Sequence, residues 1–307
     1  MTTSVGARVL AEVYRLHHVP LPAITLQELL KRGARATPAI IEKLQQDPSG
    51  LQQWKEANAP LIITSAQLLH REVPIRLARR IVDLENLPDE LPDAPSIVKL
   101  RNKLLASFDE LIRISLGAVS REEWQRDSLF SFAIFPLPRS LETEQKFMDV
   151  HRRLRSDHAT MHAEVSDAIK QLNYEPQGLS ESLDNFYNSR IGIRTLVDQH
   201  LAAQAPVPGF TGIVSDTCSP VKIAKDVLEK VTPGWEVSLN GHKLPEFQIT
   251  GDETATYRYI PQHIELILSE VIKNAYFGGD LSLMPMEGHG VDAYIYMNCL
   301  TGASEVK

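Results

Sequence analysis

The chain has 307 residues, of which 43% are hydrophobic and 23% charged, with a net charge of -7 and a sequence pI near 5.8. That is the composition of a globular protein long enough for two ordinary domains, and it argues against a nucleic-acid binder living on a basic surface. Two cysteines without a CxxC make a disulfide framework or a cysteine zinc site a poor reading and suit a reducing compartment. No apolar run is long enough to span a membrane.

In chain order, residues 1–19 carry Arg8, Arg15 and two histidines with one acid, Glu12. They lack the apolar core of a secretory signal and match a mitochondrial transit peptide weakly. Val9, Leu10, Val13 and Leu16 are spaced for a short amphipathic helix instead. A second helix is expected over 24–33, with Thr25 as N-cap and Gly33 as its stop. Residues 34–59, punctuated by Pro38, Pro48-Ser-Gly50 and Pro60, read as one or two small helices. Residues 61–86 place Ala66, Leu69, Val73, Ile75, Leu77, Ile81 and Leu84 for burial, and Pro74 should kink or split that helix. After a proline-stiffened connector, residues 96–117 make another helix, capped by Ser96 and ended at Gly117. A long polar-rich helix is expected over 139–172 and a further helix over 180–204.

Ala205-Pro-Val-Pro-Gly209 marks a change of pattern. Strand candidates follow at Thr211–Val214, Trp235–Leu239, Phe247–Ile249 and Thr256–Ile260, and residues 291–297 alternate again. Helices are expected at Pro220–Val231 and Pro261–Tyr276. The reading is a helical up-and-down bundle over 1–206, followed by an α/β domain over 207–307, with no strand before about residue 205.

The chemistry concentrates in the last of these helices. Ile264, Ile267, Leu268, Val271, Ile272 and Ala275 recur at three- and four-residue steps as an apolar stripe expected to be buried. Glu270, Lys273 and Asn274 share another face. Such a face is ordinarily just the wet side of a helix. It is also suited to a hydrated magnesium ion, with a carbonyl as direct ligand and a carboxylate for the waters. Elsewhere, His158 and His162, four apart in the expected 139–172 helix, would face one way, but they lack the Glu of HExxH and a third ligand. Cys218 has no basic activator and reads as inert. The glycines at 278–279 and 288–290 precede no Lys-Ser/Thr helix start, so they are not a P-loop.

The order Glu270-x-x-Lys-Asn-Ala275, preceded by Tyr259-Ile-Pro-x-His263, resembles the N box of the histidine-kinase and gyrase ATPase superfamily. It is most similar to the mitochondrial protein kinases, the pyruvate and branched-chain 2-oxo-acid dehydrogenase kinases. Arg71-Glu-Val-Pro-Ile-Arg-Leu-Ala-Arg-Arg80, Leu87-Pro-Asp-Glu-Leu91 and Pro95-Ser-Ile97 look like that family's bundle segment. Phe186-Tyr-Asn-Ser-Arg-Ile-Gly-Ile-Arg-Thr-Leu196, with Gln199-His200, looks like its long helix before the ATPase domain, and His158 falls near its bundle histidine. Residues 34–59 look like an insertion.

The resemblance implies a four-helix bundle followed by a histidine-kinase-type (GHKL) ATP-binding α/β sandwich, expected to be incomplete in this chain. It implies ATP and Mg2+ as cofactors, with Glu270, Lys273 and Asn274 at the nucleotide, Asn274 on magnesium and Glu270 as general base. It further implies the E1 component of a 2-oxo-acid dehydrogenase complex as substrate, the lipoyl domain of E2 as docking partner and the mitochondrial matrix as location, and it leaves homodimerisation open. The sequence also departs from the pattern. Tyr276-Phe277-Gly278 stands where the family continues x-Arg-Ala, no Asp-x-Gly-Gly-Gly box occurs from 276 to 307, and Leu266 stands where pyruvate-type kinases tend to carry His. These departures raise three expectations: an active serine kinase, an inactive member that only binds a partner, or a truncated product with a divergent tail. They also make this chain a poor kinase, with 276–307 its least well packed part.

Overall fold

The structure, a computed structural model, describes residues 4–47, 49–116, 138–172, 174, 176–238, 247–250, 254–281 and 293–296. The chain forms two compact units, Met1–Pro208 and Gly209–Lys307.

Among the described residues the first unit is helical. It contains α1 (Ser4–Leu16), α2 (Leu26–Arg32), α3 (Pro38–Gln46), α4 (Gly50–Ala57), α5 (Ala59–Glu85), α6 (Pro95–Leu116), α7 (Leu141–Asp157), α8 (Met161–Lys170) and α9 (Leu179–Gln204), with a single 3-10 turn at Leu91–Asp93. The axis of this unit is α5, which packs against α9, α6, α1 and α7. Leu69, Val73, Ile75, Leu77, Ala78, Ile81 and Leu84 on α5 are all essentially inaccessible. Burying a side chain of that size is worth about 1.5–3 kcal/mol. That sum explains why Pro74 does not split the helix as the sequence suggested. An interior proline costs about 3 kcal/mol, while apolar residues on both sides of Pro74 hold the helix continuous against its neighbours.

Several local expectations hold. Thr25 caps α2 by accepting from the Glu28 N–H at 3.1 Å. Val13 and Leu16 of α1 are buried. Other expectations need correction. The 139–172 segment is two helices, because the chain turns at His158–Thr160 to bring both His158 and Met161 inward. Ser107 Oγ and His158 Nε2 meet at 2.9 Å, and Arg190 Nη2 donates to the carbonyl of Ala159 at 3.4 Å. His158 is therefore a buried helix end and His162 an exposed residue of the next helix, so they do not share a face. Ser96 lies inside α6 rather than capping it, and its hydroxyl is buried without a partner. Gly117 lies outside the described residues. A small second core gathers Ala34, Ala36, Ile41, Trp54 and Ala203, where Trp54 Nε1 donates to the Ala203 carbonyl at 3.1 Å.

In the second unit β1 (Phe210–Thr211) and β2 (Val214–Cys218) form a hairpin where the sequence suggested one strand over 211–214. Gly212, with φ of 63°, supplies the left-handed backbone that a two-residue hairpin loop requires. The strand β4 (Tyr257–Tyr259) joins the other edge of β2, giving an antiparallel sheet in the order β1-β2-β4. A separate parallel pair joins β3 (Phe247–Thr250) and β5 (Ala293–Tyr296). The helix α10 runs from Pro220 to Ser238, so Trp235–Ser238, expected as a strand, is helical. Pro233 and Gly234 are exposed, which leaves water to satisfy the carbonyl that the missing proline N–H frees. Leu239 lies outside the described residues. The last helix, α11, runs Pro261–Leu281, longer than expected.

Candidate functional site

The N-terminus of α11 is set by Pro261, whose fixed φ and missing N–H suit a first helical turn. One row of side chains then faces α10. Ile272 is fully buried with Val227, and Leu268, Ile223, Leu228 and Val231 pack around them. Lys230 of α10 donates to Glu265 Oε1 at 2.6 Å across the same interface. That partner raises the Lys230 pKa, first through the hydrogen bond and then through the charge.

The opposite arc carries the residues singled out by sequence. Glu270 and Asn274 are exposed and Lys273 is half-buried, all within one turn. Lys273 Nζ donates to Glu270 Oε1 at 2.8 Å, an exposed i,i+3 pair worth little in stability. The Asn274 carboxamide makes no hydrogen bond with a described residue, so its oxygen is available to a ligand. One departure from expectation is clear. Ile267 and Val271, read as part of a buried stripe, are 57% and 49% exposed, and Leu266 is 58% exposed. The covered row is only as wide as the contact with α10, so Leu268 and Ile272 turn inward. Ile267 and Val271 instead flank Glu270 and Asn274. The side chain of Ala275 lies outside the described residues.

This face fits a magnesium–nucleotide group in part. Mg2+ takes one or two protein oxygens, keeps several waters and binds phosphate oxygens for the rest. Asn274 Oδ1 makes no hydrogen bond with a described residue and could serve as such an oxygen, and Glu270 retains the oxygen that Lys273 does not occupy. Lys273 places an ammonium close by. Tyr259, just before the helix, and His263, in its first turn, make an edge-on ring contact with centroids 6.1 Å apart.

A second polar concentration, in the helical unit, was missed in the sequence. A cleft among α5, α7 and α9 is lined by Arg80, His151, Arg155, His158, Arg190 and Arg194 beside apolar residues such as Leu77 and Ile193. Arg80 is fully buried. Its Nη2 reaches Met161 Sδ at 2.9 Å and its guanidinium lies 4.7 Å over the Phe186 ring, while its Nε has no partner. Burial, then the charge of Arg190, lowers the Arg80 pKa to about 9. Burial likewise lowers His151 to about 4, against the opposing hydrogen bond with the Phe147 carbonyl, and lowers His158 to about 3, where the charges of Arg80, Lys103 and Arg190 add to it. Cationic walls with apolar patches suit a small organic anion. The signal for it was present in Arg190-Ile-Gly-Ile-Arg194, two arginines one turn apart, but nothing in the local pattern around Arg80 marks it as buried. Cys218 is buried and its thiol pKa is raised by burial, in keeping with an inert cysteine.

The family model for the mitochondrial branched-chain alpha-ketoacid dehydrogenase kinase matches residues 24–215, which takes in most of the helical unit and stops before α11. A mitochondrial [pyruvate dehydrogenase (acetyl-transferring)] kinase of Arabidopsis thaliana is 28% identical over 222 residues, covering 70% of this chain and 54% of the relative. The human isozyme 3 kinase is 26% identical over 234 residues, covering 69% and 52%. The Schizosaccharomyces pombe kinase is 23% identical over 337 aligned positions, covering 94% and 73%. The chain thus spans about half the length of the first two relatives.

Proposed function

Since the chain belongs to the mitochondrial branched-chain alpha-ketoacid dehydrogenase kinase family, we propose that it is an ATP-dependent kinase acting on a serine of the E1 component of a 2-oxo-acid dehydrogenase complex. The observation that carries the reading is the pairing of an unspent Asn274 carboxamide with Glu270 on the exposed face of α11. We read the helical unit, about 1–206, as a four-helix bundle built on α5, α6, α7–α8 and α9, and residues 207–307 as a GHKL-type ATP-binding α/β sandwich. The matrix location, the lipoyl domain of E2 as docking partner and a homodimer belong to the same proposal; it is supported by relatives named as mitochondrial kinases.

Bound ATP with magnesium supplies the phosphoryl group. Asn274 Oδ1 would ligate the metal directly and Glu270 would orient its waters. The carboxylate oxygen of Glu270 not engaged by Lys273 is the acceptor for the proton of the serine hydroxyl. Lys273 offsets part of the negative charge on that face.

A second reading, a catalytically inactive member that acts as a binding module, is favoured by one observation. Lys273 already holds one oxygen of Glu270 at 2.8 Å, which leaves a single carboxylate oxygen to serve both the waters of the metal and the hydroxyl proton. The experiment is ATP-binding calorimetry with and without Mg2+, beside phosphorylation of an E1 component, on wild type, Asn274→Ala and Glu270→Gln. Magnesium-dependent binding that Asn274→Ala abolishes, with phosphorylation that Glu270→Gln abolishes, is the expected result. Binding without phosphorylation selects the second reading. Equal ATP affinity in wild type and Asn274→Ala removes the ligand role of Asn274.

A further inference from the structure

We propose that the open groove between the end of α1, the second half of α5 and the first half of α9 docks an extended peptide segment of a partner protein, one carrying an acidic and a basic side chain two residues apart. The proposal rests on the helical unit alone and is independent of the reaction proposed above.

The groove holds about 410 Å3 and Val82 is the one aliphatic residue in its lining, so its size is that of a ligand site while its walls are polar. Two opposite charges stand on one side. Arg79 and Asp83 are four residues apart on α5, the spacing at which a helix ordinarily closes an ion pair. Here the pair is held open. Arg79 Nε donates to the His17 carbonyl at 3.2 Å and its Nη2 to the Val19 carbonyl at 2.7 Å. Those acceptors are neutral, so they tether the guanidinium to the end of α1 without cancelling its charge. Asp83 is left with no hydrogen bond or ion pair to any described residue. Burial pushes its carboxyl pKa up, against the pull of Arg80, Arg79 and His17. A guanidinium and a carboxylate that do not bond each other therefore face one groove separately.

The facing wall, on α9, supplies Asn185 and Asn188, both exposed and neither bonded to a described residue. A carboxamide offers a donor and an acceptor together, the complement of a peptide group. The spacings agree with an extended chain. Four helical residues from Arg79 to Asp83 rise about 6 Å. Two residues of extended peptide advance about 6.6 Å, with both side chains on the same face. Asn185 and Asn188, three apart, lie about 5–6 Å from each other. The groove floor is fixed rather than adjustable. Ser189 Oγ donates to the Arg76 carbonyl at 3.0 Å, and Arg76 Nη2 donates to the buried Glu72 at 3.0 Å. Gly192 lets the Arg76 guanidinium lie against α9, since a Cβ there would sit 2.8 Å from Nη1. Mixed charge near neutrality disfavours nucleic acid or an anionic membrane, and charge complementarity selects the acid-plus-base peptide.

The test uses the full chain and two fluorescein-labelled pentapeptides, Gly-Glu-Gly-Lys-Gly and Gly-Lys-Gly-Glu-Gly, followed by fluorescence anisotropy at low salt. One order is expected to bind saturably. Asp83→Asn and Asn185→Ala are each expected to weaken it about fivefold or more; Asn185 is exposed, so its variant is expected to keep the melting temperature, and Asp83→Asn keeps the side-chain shape. Asp83→Lys is expected to lose that peptide and to bind Gly-Glu-Gly-Glu-Gly better than wild type does. Absence of saturable binding for both orders, or an Asp83→Lys variant that binds as wild type does, overturns the proposal.

Discussion

At the scale of single residues, the helical unit stores its electrostatic sensitivity in buried histidines. Burial lowers His70 and His151 to about 4 and His158 to about 3. A histidine with a depressed folded-state pKa is neutral in the fold and takes up a proton on unfolding once pH falls below the ordinary 6.5. The unfolded chain then binds more protons, so stability rises with pH across this window and is lost as pH falls from about 6.5 towards 4. At pH 5 each such histidine should cost about 2 kcal/mol relative to pH 8. Chemical denaturation at pH 8 and pH 5 should therefore show a marked loss, and His151→Phe should flatten part of that slope. A pH-independent denaturation midpoint would show that these histidines are more accessible than their burial implies. Arg80 belongs to the same scale. It is a cation without an ion-pair partner, held by a thioether and a ring face, which makes its neighbourhood a receptor for negative charge.

At the scale of elements, two helices carry specific expectations. Within α5, Pro74 removes one backbone hydrogen bond from an otherwise continuous 27-residue helix. Pro74→Ala restores that N–H and should raise stability by about 1–3 kcal/mol in urea titrations. A loss instead would mean that the half-buried ring packs usefully. For α11, the burial pattern separates residues that the sequence grouped. Ile272→Ala should destabilise the α10–α11 contact by about 2–5 kcal/mol. Ile267→Ser and Val271→Ser should each cost within about 0.5 kcal/mol, as exposed substitutions do. Comparable losses at all three positions would place Ile267 and Val271 against a covering surface. The hydrogen bond from Trp54 to Ala203 ties the short α4 to the last turn of α9, so the segment that looks inserted in the sequence contributes to the core of the helical unit.

At the scale of the whole molecule, the chain divides after Pro208 into two compact units. Residues 205 and 207–209 between them are exposed. Exposed, proline-interrupted backbone of this kind is a preferred site of proteolytic cleavage. Limited digestion with elastase should nick the chain first near Ala205–Gly209 and leave a helical N-terminal fragment resistant. Early cleavage inside α5 or α9, with the 205–209 step intact, would contradict the division. Among the described residues no helix is long and apolar enough to cross a membrane.

The sequence by itself determined the helical character of the first two hundred residues, because three- and four-residue apolar spacing is a local property of each segment. It located the change of pattern at Ala205-Pro-Val-Pro-Gly209, and it grouped Glu270, Lys273 and Asn274, because residues within one turn share a face wherever the helix packs. What tertiary structure decided was which face is covered. Ile267 and Ile272 are equally apolar in sequence, yet only Ile272 meets α10. Tertiary packing also overrode local signals: burial along α5 outweighed Pro74, and the helix α10 continued through Pro233 into residues that read as a strand. The turn at His158–Thr160 carries no glycine or proline to announce it. It exists because His158 and Met161 both reach the interior. The arginine-lined cleft and the open Arg79–Asp83 pair were likewise invisible in one dimension. The cleft depends on Arg80 meeting Arg190 and Arg194 from far along the chain, and the open pair on neutral carbonyls just after α1, at His17 and Val19, drawing a guanidinium away from its natural partner.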